Sequence, residues 1–329
     1  MNKKVLLIGG AGYIGSVLIE YLLHHNYRVH NLDALLYNQS PYINNHPFYK
    51  FIHGDFLDSN ILNTALQQAS DVVILAGLVG DYITQKYPIL SEKVNYKGMI
   101  NLFKILKNFN LKHVIFISTC SNYGFISTNQ TADENFKLTP LSLYAKAKVG
   151  IEKYILSLKN KVSFHPTILR FSTAFGLSPR MRFDLTVNQF IFEMYKKKEL
   201  LIYDADTWRP YCHVKDLSRA IHSVLEAPLS QITFEVFNVG GNQHNYTKKM
   251  LIEQIKKYFD SPSIRYINRG PDPRNYKINF SKIHLQLGFE PQYTVSDGAQ
   301  ELITAFNQKM FSDVIEGKNY GNYETTYSA

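Results

Sequence analysis

Cysteine is scarce in this chain of 329 residues, which contains only Cys120 and Cys212. Two cysteines so far apart cannot build the disulfide framework of a small secreted domain, and they are typical of a reducing cytoplasm. Long apolar runs are absent too, since none approaches the roughly 20 residues that span a bilayer. The lysine-containing start of the chain runs directly into glycines, which is unlike a signal peptide. We therefore expect a cytoplasmic protein without a membrane span.

Acidic residues are outnumbered, because 36 Lys and Arg stand against 27 Asp and Glu and give a net charge of +9. Such an excess fits binding to nucleic acid, to an anionic surface or to an anionic small molecule, and it fits a solvated basic surface equally well. Charged residues make up only 19% of the chain and hydrophobic residues 45%, which excludes a disordered or fibrous protein. Composition alone leaves the partner open.

Short apolar runs alternate with helical patterns in the first half of the chain. The predicted strands are residues 4–8, 28–32, 48–53, 71–76, 113–118 and 163–171, and the predicted helices are residues 17–25, 61–69, 92–108 and 143–159. This alternation predicts an α/β fold, a doubly wound parallel sheet with helices on both faces. Ligands are then expected at the carboxyl ends of the strands.

The pattern changes after Gly176, where proline, aromatic and basic residues become frequent. A predicted helix at residues 214–226 and a predicted strand at 233–239 return the chain to the sheet. We therefore predict two domains, in keeping with about 150 residues per domain. The predicted parts are a cofactor domain of residues 1–175 and 210–241, and a smaller, discontinuous α/β substrate domain of residues 176–209 and 242–329.

A glycine-rich turn follows the first predicted strand. Gly9, Gly12 and Gly15 are spaced as G-x-x-G-x-x-G and lead into a predicted helix. Glycine at these positions leaves room for the turn, for a pyrophosphate and for close packing of the helix on the strand. Glycine turns are common, so the motif alone is a weak signal. With Tyr13 and Ile14, these glycines are the predicted cofactor-binding turn.

One aspartate follows each of the next two strands. Asp33 closes the second strand, where a carboxylate can accept hydrogen bonds from an adenosine ribose and repels a 2′-phosphate. No arginine follows it closely, so NAD is favoured over NADP. Asp55, after the third strand, could meet the adenine amino group. Either aspartate could instead be an ordinary cap or turn residue.

Tyr144 and Lys148 form a Tyr-x-x-x-Lys motif on a predicted helix. Residues i and i+4 share a helix face, so the ammonium can lie beside the phenol and lower the phenol's pKa from about 10 toward neutrality. Such a tyrosine can exchange a proton with a sugar hydroxyl while a nicotinamide carries the hydride. With 23 tyrosines in the chain, one such motif is expected by chance. Thr119 supports a catalytic interpretation of the motif, because it follows a strand and its hydroxyl can position the reacting oxygen.

Together these motifs resemble those of the extended short-chain dehydrogenases/reductases, and more narrowly their nucleotide-sugar epimerase/dehydratase branch, over nearly the whole chain. The motifs, in the order typical of that family, are Gly9/Gly12/Gly15, Asp33, Gly54-Asp55, residues 119–124, Tyr144/Lys148 and residues 209–216. The resemblance implies a Rossmann domain that binds NAD and a nucleotide-diphosphate sugar as substrate. It also implies a homodimer built on the helices at residues 94–106 and 148–158, with no nucleic-acid partner, membrane partner or metal.

Individual roles follow from the resemblance. Thr119, Tyr144 and Lys148 match the catalytic residues, and Lys148 also matches the lysine that holds the nicotinamide ribose. The further positions matched to the cofactor are Asp33, Asp55, Phe56, Leu75, Ala76 and Gly77. The positions matched to the substrate are Asn122, Arg209, and Arg269 with Arg274 as its close rival. Arginine suits a phosphate because its planar fork can hydrogen-bond two oxygens.

The chain departs from the family at three positions. Dehydratases of the family carry an Asp-Glu pair after the catalytic threonine, and Cys120 and Ser121 stand there instead, which argues against dehydration. Members that epimerise carbons 3 and 5 place a cysteine where this chain has Ser121, so we interpret Cys120 as packing or pocket lining rather than as an acid or base. Thr173 replaces an asparagine that touches the substrate phosphate.

Residues 75–81 and 178–188 resemble a subgroup that includes enzymes oxidising carbon 4 of GDP-manno-heptose. Asn188, Arg180 and Arg182 then become candidate contacts to the nucleotide. The resemblance reaches a subgroup and not a particular substrate.

The leading hypothesis is an NAD-dependent epimerase or oxidoreductase that acts at carbon 4 of a nucleotide sugar by hydride transfer, in the biosynthesis of surface-polysaccharide sugars. If the keto-sugar leaves the site, the enzyme is a 4-dehydrogenase or a 4-ketoreductase instead. More remote alternatives are an NAD-sensing protein or a nucleic-acid-binding member of the fold. An intact Thr119, Tyr144 and Lys148 set argues against both, because neither needs an activated tyrosine.

Overall fold

The computed structural model describes residues 3–37, 44–127, 130–268, 274–311 and 320–327. The strands are β1 (Lys4–Ile8), β2 (Arg28–Asp33), β3 (Tyr49–His53), β4 (Asp71–Ile74), β5 (His113–Thr119), β6 (His165–Phe171), β7 (Thr173–Phe175), β8 (Leu200–Tyr203), β9 (Trp208–His213), β10 (Glu235–Val239), β11 (Asn245–Thr247) and β12 (Ile264–Ile267). The α-helices are α1 (Tyr13–His24), α2 (Ser59–Leu66), α3 (Asp81–Lys86), α4 (Pro88–Ser91), α5 (Met99–Leu106), α6 (Leu143–Leu156), α7 (Thr186–Tyr195), α8 (Val214–Glu226), α9 (Leu229–Ile232), α10 (Lys248–Ile255), α11 (Ser281–Leu287) and α12 (Val295–Asn307).

Seven strands form one parallel sheet in the order β10-β6-β5-β4-β1-β2-β3. The central strands β1 and β4 are short and rich in β-branched and other apolar residues, and nearly every side chain in them is buried. Such runs suit a sheet that is covered on both faces, because neither face of the strand meets water. The doubly wound parallel sheet predicted from the sequence is therefore confirmed.

The register of the sheet brings its carboxyl ends together. Ile8 pairs with Leu32 on one side and with Ile74 on the other, so the residues that follow these three strands begin at the same level. On one face, α1 packs against α8, and both contribute to one apolar core. On the other face, α2, α5 and α6 contribute to a second core. The two cores hold the carboxyl edge of the sheet in place.

The helix predicted at residues 92–108 is interrupted. Glu92–Gly98 forms a π-helix, and regular α-helix starts only at Met99. The hydrogen bonds of a π-helix span one more residue than those of an α-helix, and such turns occur frequently at functional sites. Apolar periodicity does not reveal this change, because the same residues still face the core.

The remaining strands form two small sheets. One has the order β11-β9-β7, and the other pairs β12 with β8. Helices α7, α10 and α12 surround an aromatic core in this part, where the Phe183 ring stacks on the Phe192 ring at 4.7 Å between centroids. Strand β7 and most of β9 lie in residues that the sequence assigns to the cofactor domain, yet both strands pair in the small sheet. The small sheet therefore crosses the predicted domain boundaries.

The C-terminal segment, residues 320–327, packs on both parts of the molecule. The backbone N–H of Phe183, in the smaller part, donates to the carbonyl oxygen of Tyr320 at 2.7 Å. Further along, the N–H of Thr326 donates to the carbonyl oxygen of Leu36, in the loop after β2, at 2.8 Å. In the part of the chain that the structure describes, no helix combines the length and the apolar character that a bilayer span requires.

Candidate active site

A cavity of about 340 Å³ opens at the carboxyl ends of β1, β2, β4 and β5, where a doubly wound sheet binds its ligands. Its walls come from both parts of the molecule. Among the predicted site residues, those that line it are Gly9, Gly12, Tyr13, Ile14, Gly15, Asp33, Asp55, Phe56, Leu75, Ala76, Gly77, Thr119, Tyr144, Lys148, Arg180, Arg182 and Arg209. The fold therefore brings most of the predicted cofactor, catalytic and substrate residues to one place.

The glycine turn is shaped for close approach of a ligand. Gly9 has a φ of +84°, and a Cβ there would lie 2.5 Å from the backbone of Ala76, so no larger residue fits. A Cβ at Gly12 would meet nothing nearer than 3.7 Å, which leaves this backbone open. Helix α1 begins directly afterwards, at Tyr13, without a side-chain cap, so its first N–H groups are available to a phosphate. These features fit the diphosphate of a dinucleotide.

Asp33 faces the cavity beside that turn. Its carboxylate accepts hydrogen bonds from the N–H groups of Ala11 and Leu35, both at 2.8 Å. Burial raises its pKa, and the two N–H groups act in the opposite direction. A carboxylate that is held on one side and open to the cavity on the other fits a ribose diol. Asp55 also lines the cavity, and its carboxylate accepts from the N–H of Leu57 at 2.9 Å, as a turn aspartate does.

The π-helix contributes a residue that the sequence reasoning missed. The side chain of Asn95 is buried, accepts from the N–H of Leu78 at 2.8 Å and donates to the carbonyl oxygen of the same residue at 2.9 Å. Gly77, which has a φ of +146°, could carry no Cβ, because that atom would lie 2.8 Å from the Asn95 amide oxygen. Asn95 thus holds the loop after β4 that lines the cavity. Its position in the chain offers no local signal for this role.

Thr119, Tyr144 and Lys148 all line the cavity. Thr119 ends β5, and its hydroxyl oxygen accepts from the N–H of Ser121 at 3.1 Å, which fixes the turn that follows. The Ser142 hydroxyl accepts from the N–H of Ala145 and caps α6. This cap fixes the start of the helix that carries Tyr144 and Lys148 on one face. The Lys148 ammonium donates to the carbonyl oxygen of Ile117 at 2.7 Å.

The pKa predicted for Tyr144 is not the one that this structure gives. The sequence predicted a phenol with its pKa lowered toward neutrality by Lys148, yet burial raises the pKa of Tyr144 above its ordinary value. Burial also lowers the pKa of Lys148 to about 8. The physical reason is that desolvation disfavours the charged form of each group, and the ammonium is directed at Ile117 rather than at the phenol oxygen.

The predicted arginines occupy different surroundings. Three of them, Arg180, Arg182 and Arg209, line the cavity. The Arg182 guanidinium donates to both carboxylate oxygens of Asp184, from Nε to Oδ1 at 2.9 Å and from Nη2 to Oδ2 at 2.5 Å. Arg274 is not a lining residue. Its guanidinium pairs at 2.5 Å with Asp81, which does line the cavity. Arg269 lies outside the described residues.

Asn122 and Asn188 do not line the cavity, in contrast to their predicted contact with the substrate. The amide of Asn122 is buried and donates to the carboxylate of Glu152 at 2.7 Å. Asn188 is buried as well, accepts from the N–H of Gly176 at 2.9 Å and donates to the Tyr13 hydroxyl at 3.1 Å. The amide nitrogen of Asn122 and both amide atoms of Asn188 are used by internal hydrogen bonds, so these side chains support the walls of the cavity.

Ser121 and Tyr276, to which the sequence reasoning gave no role, also line the cavity. The Tyr276 hydroxyl lies 3.3 Å from the Ser121 hydroxyl, and the Tyr276 ring lies 5.9 Å from the Arg209 guanidinium. The sequence signal that could have identified Tyr276 is its position two residues after Arg274, a predicted substrate contact. Cys120, by contrast, is buried, and its thiol donates to the carbonyl oxygen of Arg170 at 3.2 Å.

Most of the chain is similar to known proteins. The description "NAD dependent epimerase/dehydratase family" belongs to the sequence profile that matches residues 5–240. The UDP-glucuronate 4-epimerase of Thermodesulfobacterium geofontis is 25% identical over 312 residues, which cover 91% of this chain and 94% of that protein. The structure of a Bacillus cereus UDP-glucuronic acid 4-epimerase in complex with UDP-glucuronic acid and NAD has a TM-score of 0.83 at 26% identity, covering 93% of this chain and 99% of that one. A Bacillus anthracis dTDP-glucose 4,6-dehydratase in complex with NAD has a TM-score of 0.81 at 26% identity, covering 94% and 98%.

Proposed function

Since the chain belongs to the NAD-dependent epimerase/dehydratase family, we propose that it catalyses NAD-dependent hydride transfer at carbon 4 of a nucleotide-diphosphate sugar, with epimerisation as the outcome. The observation that carries this proposal is the meeting of Thr119, Tyr144 and Lys148 in one cavity with the glycine turn and Asp33. The similar proteins named above act on the same class of substrate.

The residues present fit NAD, which is the cofactor of the family. The open backbone at Gly12 and the uncapped start of α1 would hold its diphosphate, and Asp33 would hold the adenosine ribose. When bound, NAD supplies the acceptor and the donor of the hydride. Lys148 would hold the nicotinamide ribose beside Tyr144.

In this proposal, Tyr144 takes the proton of the 4-hydroxyl and returns it, while Thr119 orients that oxygen. Burial favours the neutral phenol, which is the form that protonates a keto oxygen on the way back. To act as the base, Tyr144 must be a phenolate, and a phenolate needs a positive charge close by. The Lys148 ammonium, 5.9 Å from the Tyr144 ring centre, is the nearest cation on the same helix face.

Dehydration at carbons 5 and 6 is not part of the proposal. It requires an acid and a base after Thr119, and the chain has Cys120 and Ser121 there. The Cys120 thiol is buried against Arg170, and burial raises its pKa far above the neutral range, so it is held as a thiol. Ser121 reaches the cavity but has no titration in the neutral range.

We also propose that two copies of the chain pair through the helical face of residues 92–106 and α6. The support is apolar exposure on both elements, since Tyr96 is 39% exposed and Leu156 is 40% exposed. Exposed aromatic and aliphatic side chains on neighbouring helices are typical of interfaces. Size-exclusion chromatography with light scattering tests this. A monomer at micromolar concentration would contradict it.

The proposed function is tested by incubating the purified protein with UDP-, GDP-, CDP- and dTDP-sugars and following carbon 4 by NMR. Epimerisation predicts a second sugar with the opposite configuration at carbon 4 and no net change in NADH absorbance. A stoichiometric rise or fall in NADH absorbance would instead identify a dehydrogenase or a reductase. No turnover with any nucleotide sugar would contradict the proposal.

A further inference from the structure

Arg180 lines the same cavity as the glycine turn and belongs to a segment that contacts the start of α1. The hydroxyl of Ser178, two residues earlier, donates to the carbonyl oxygen of Tyr13 at 2.7 Å. Tyr13 is the first residue of α1 and comes directly after Gly12. The segment that carries Arg180 is therefore bonded to the start of the helix whose N–H groups face the cavity.

The guanidinium of Arg180 is buried with part of its hydrogen-bonding capacity unused. The side chain is 5% exposed, and its Nη1 donates to the amide oxygen of Asn322 at 2.8 Å. Its Nη2 has no hydrogen-bond partner among the described residues. Burying a charged group with an unsatisfied donor is costly, and an anion in the cavity would remove that cost. Arg182 does not offer the same charge, because Asp184 already neutralises it.

The neighbours of Arg180 identify which end of the cavity it serves. Its guanidinium lies 4.9 Å from the ring centre of Tyr37, in the loop after β2. Arg209 and Tyr276 lie instead with Ser121, in the turn after β5. Strands β2 and β5 are separated in the sheet by β1 and β4, which at about 4.8 Å per strand places the two ends roughly 14 Å apart. Arg180 thus shares its end with Asp33 and the glycine turn.

We propose that Arg180 binds the diphosphate of NAD, and not the nucleotide sugar, and that Asn322 of the C-terminal segment holds its guanidinium in place. This inference rests on the cofactor of the proposed function. Asn322 is suited to the role because its amide nitrogen also donates to the carbonyl oxygen of Val79, after β4, at 3.3 Å. With the Thr326 N–H bonded to Leu36, the C-terminal segment crosses the cofactor end of the cavity and slows release of the dinucleotide.

The test is a set of binding measurements on cofactor-stripped protein by isothermal titration calorimetry. Arg180→Ala is expected to weaken binding of ADP-ribose by about 10- to 100-fold, the loss of a charge-assisted hydrogen bond. Binding of adenosine, which lacks the diphosphate, and of UDP should each change less than about twofold. Unchanged affinity for ADP-ribose, or a loss confined to UDP, would overturn the assignment.

Two arginine variants serve as controls. Arg209→Ala is expected to give the opposite pattern, with UDP weakened and ADP-ribose unchanged. Arg265→Ala removes an exposed arginine paired with Glu199 and should change neither affinity. If Arg180→Ala does not fold, Arg180→Lys carries the test. It keeps the charge without the fork, so a smaller loss for ADP-ribose alone is expected, and no loss would refute the proposal.

The role of Asn322 is tested by release of NADH, followed by its fluorescence. Asn322→Ala is expected to raise the dissociation rate about tenfold or more, because Arg180 loses its support and the segment loses its bond to Val79. An unchanged rate would refute the holding role. None of these measurements needs turnover, so a failed search for a substrate would contradict the proposed function and leave this assignment standing.

Discussion

The Nζ atom of Lys148 lies 5.9 Å from the ring centre of Tyr144, one helical turn away on the same face of α6. Burial acts on the two groups in the same sense, since it disfavours the charged form of each. It raises the pKa of the phenol and lowers the pKa of the ammonium to about 8. Burial therefore shifts both groups toward their neutral forms, and this shift opposes formation of a phenolate beside an ammonium.

Replacing Tyr144 by Phe should remove turnover while cofactor binding persists. Phenylalanine keeps the ring that lines the cavity and lacks only the hydroxyl that exchanges the proton. We expect kcat to fall by a factor of about 10² to 10⁴, the usual contribution of a general acid or base. NADH affinity, measured by fluorescence titration, should stay within about threefold of the native value.

Tyr82→Phe is the matched control, because Tyr82 is 58% exposed and does not line the cavity. It should leave both kcat and NADH affinity unchanged. Full activity of the Tyr144→Phe variant would remove Tyr144 from the mechanism.

The depressed pKa of Lys148 makes the stability of the cofactor-stripped protein depend on pH. Below about pH 8, the lysine is protonated in both the folded and the unfolded chain, so the cost of burying its charge is fully present. Between about pH 8 and 10.5, the unfolded chain binds more protons, so the free energy of unfolding rises with pH. At about 1.4 kcal/mol per pKa unit, the gain across this window is about 3 kcal/mol.

Urea unfolding of the native protein and of Lys148→Met at pH 7.5 and pH 10 measures this gain. The native protein should gain about 2 to 3 kcal/mol relative to the variant over that interval. Lys146→Met, which removes an exposed lysine from the same helix, should track the native protein. A constant difference between native protein and Lys148→Met would contradict the predicted titration.

Glu152 is the centre of a buried polar network behind the catalytic turn. Its carboxylate pairs with Arg170 at 2.7 Å and accepts from Ser118 at 2.5 Å and from Asn122 at 2.7 Å. Removing one partner leaves a buried guanidinium uncompensated, which costs about 3 to 5 kcal/mol. We expect Glu152→Gln to lower the free energy of unfolding by that order in urea titrations.

Glu199→Gln, in an exposed pair with Arg265, provides the comparison and should cost less than about 1 kcal/mol. Equal losses in the free energy of unfolding for the two substitutions would show that burial of the Glu152 pair does not increase its contribution to stability. Because Ser118 directly precedes Thr119, a reduced kcat should accompany the loss of stability in Glu152→Gln.

Asn95 satisfies both backbone groups of the fully buried Leu78. Asn95→Ala would leave an N–H and a carbonyl oxygen without these bonds, at about 1 to 3 kcal/mol each. We therefore expect a loss of about 2 to 6 kcal/mol in the free energy of unfolding and weaker NADH binding, since the loop lines the cavity. Asn101→Ala, on the exposed face of α5, should change neither. Native NADH affinity in Asn95→Ala would remove this loop from cofactor binding.

Both cysteines are buried, and burial raises the pKa of each thiol. Because the thiolate is the reactive form, Ellman's reagent at pH 7.5 should label neither in the folded protein and both in guanidinium chloride. Cys120→Ala should keep turnover within about threefold, as expected of a residue that packs against Arg170. Rapid labelling of one thiol in the folded protein, or a large loss of activity in Cys120→Ala, would restore a chemical role for Cys120.

The sequence predicts best those residues that follow a strand directly. Asp33 and Thr119 end β2 and β5, and parallel pairing carries their neighbours to a common edge, so their convergence follows from strand order alone. Asn122 belongs to the same kind of turn, yet its side chain points inward to Glu152. Its direction depends on a buried carboxylate 30 residues away, which no local pattern encodes.

Long-range contacts account for the remaining differences. Asn322 lines the cavity from near the end of the chain. Asn95 supports the loop after β4 from a π-helix, which apolar periodicity cannot distinguish from an α-helix. The resemblance of residues 178–188 to a subgroup predicts Arg180 at the nucleotide sugar, whereas our proposal assigns it to the cofactor because Ser178 is bonded to Tyr13. In each case, the deciding polar partner is distant in sequence.

Strand β10 pairs with β6 at the edge of the main sheet, although the whole of residues 172–234 separates them in the chain. At about 5 to 20 residues per second, several seconds therefore pass between the synthesis of β6 and that of β10. During that time the outer edge of β6 is unpaired. An apolar strand with unpaired backbone groups is a template for association with other chains. Early termination between β6 and β10 would thus produce an aggregation-prone fragment, and yield in cells should depend on how fast the ribosome crosses that interval.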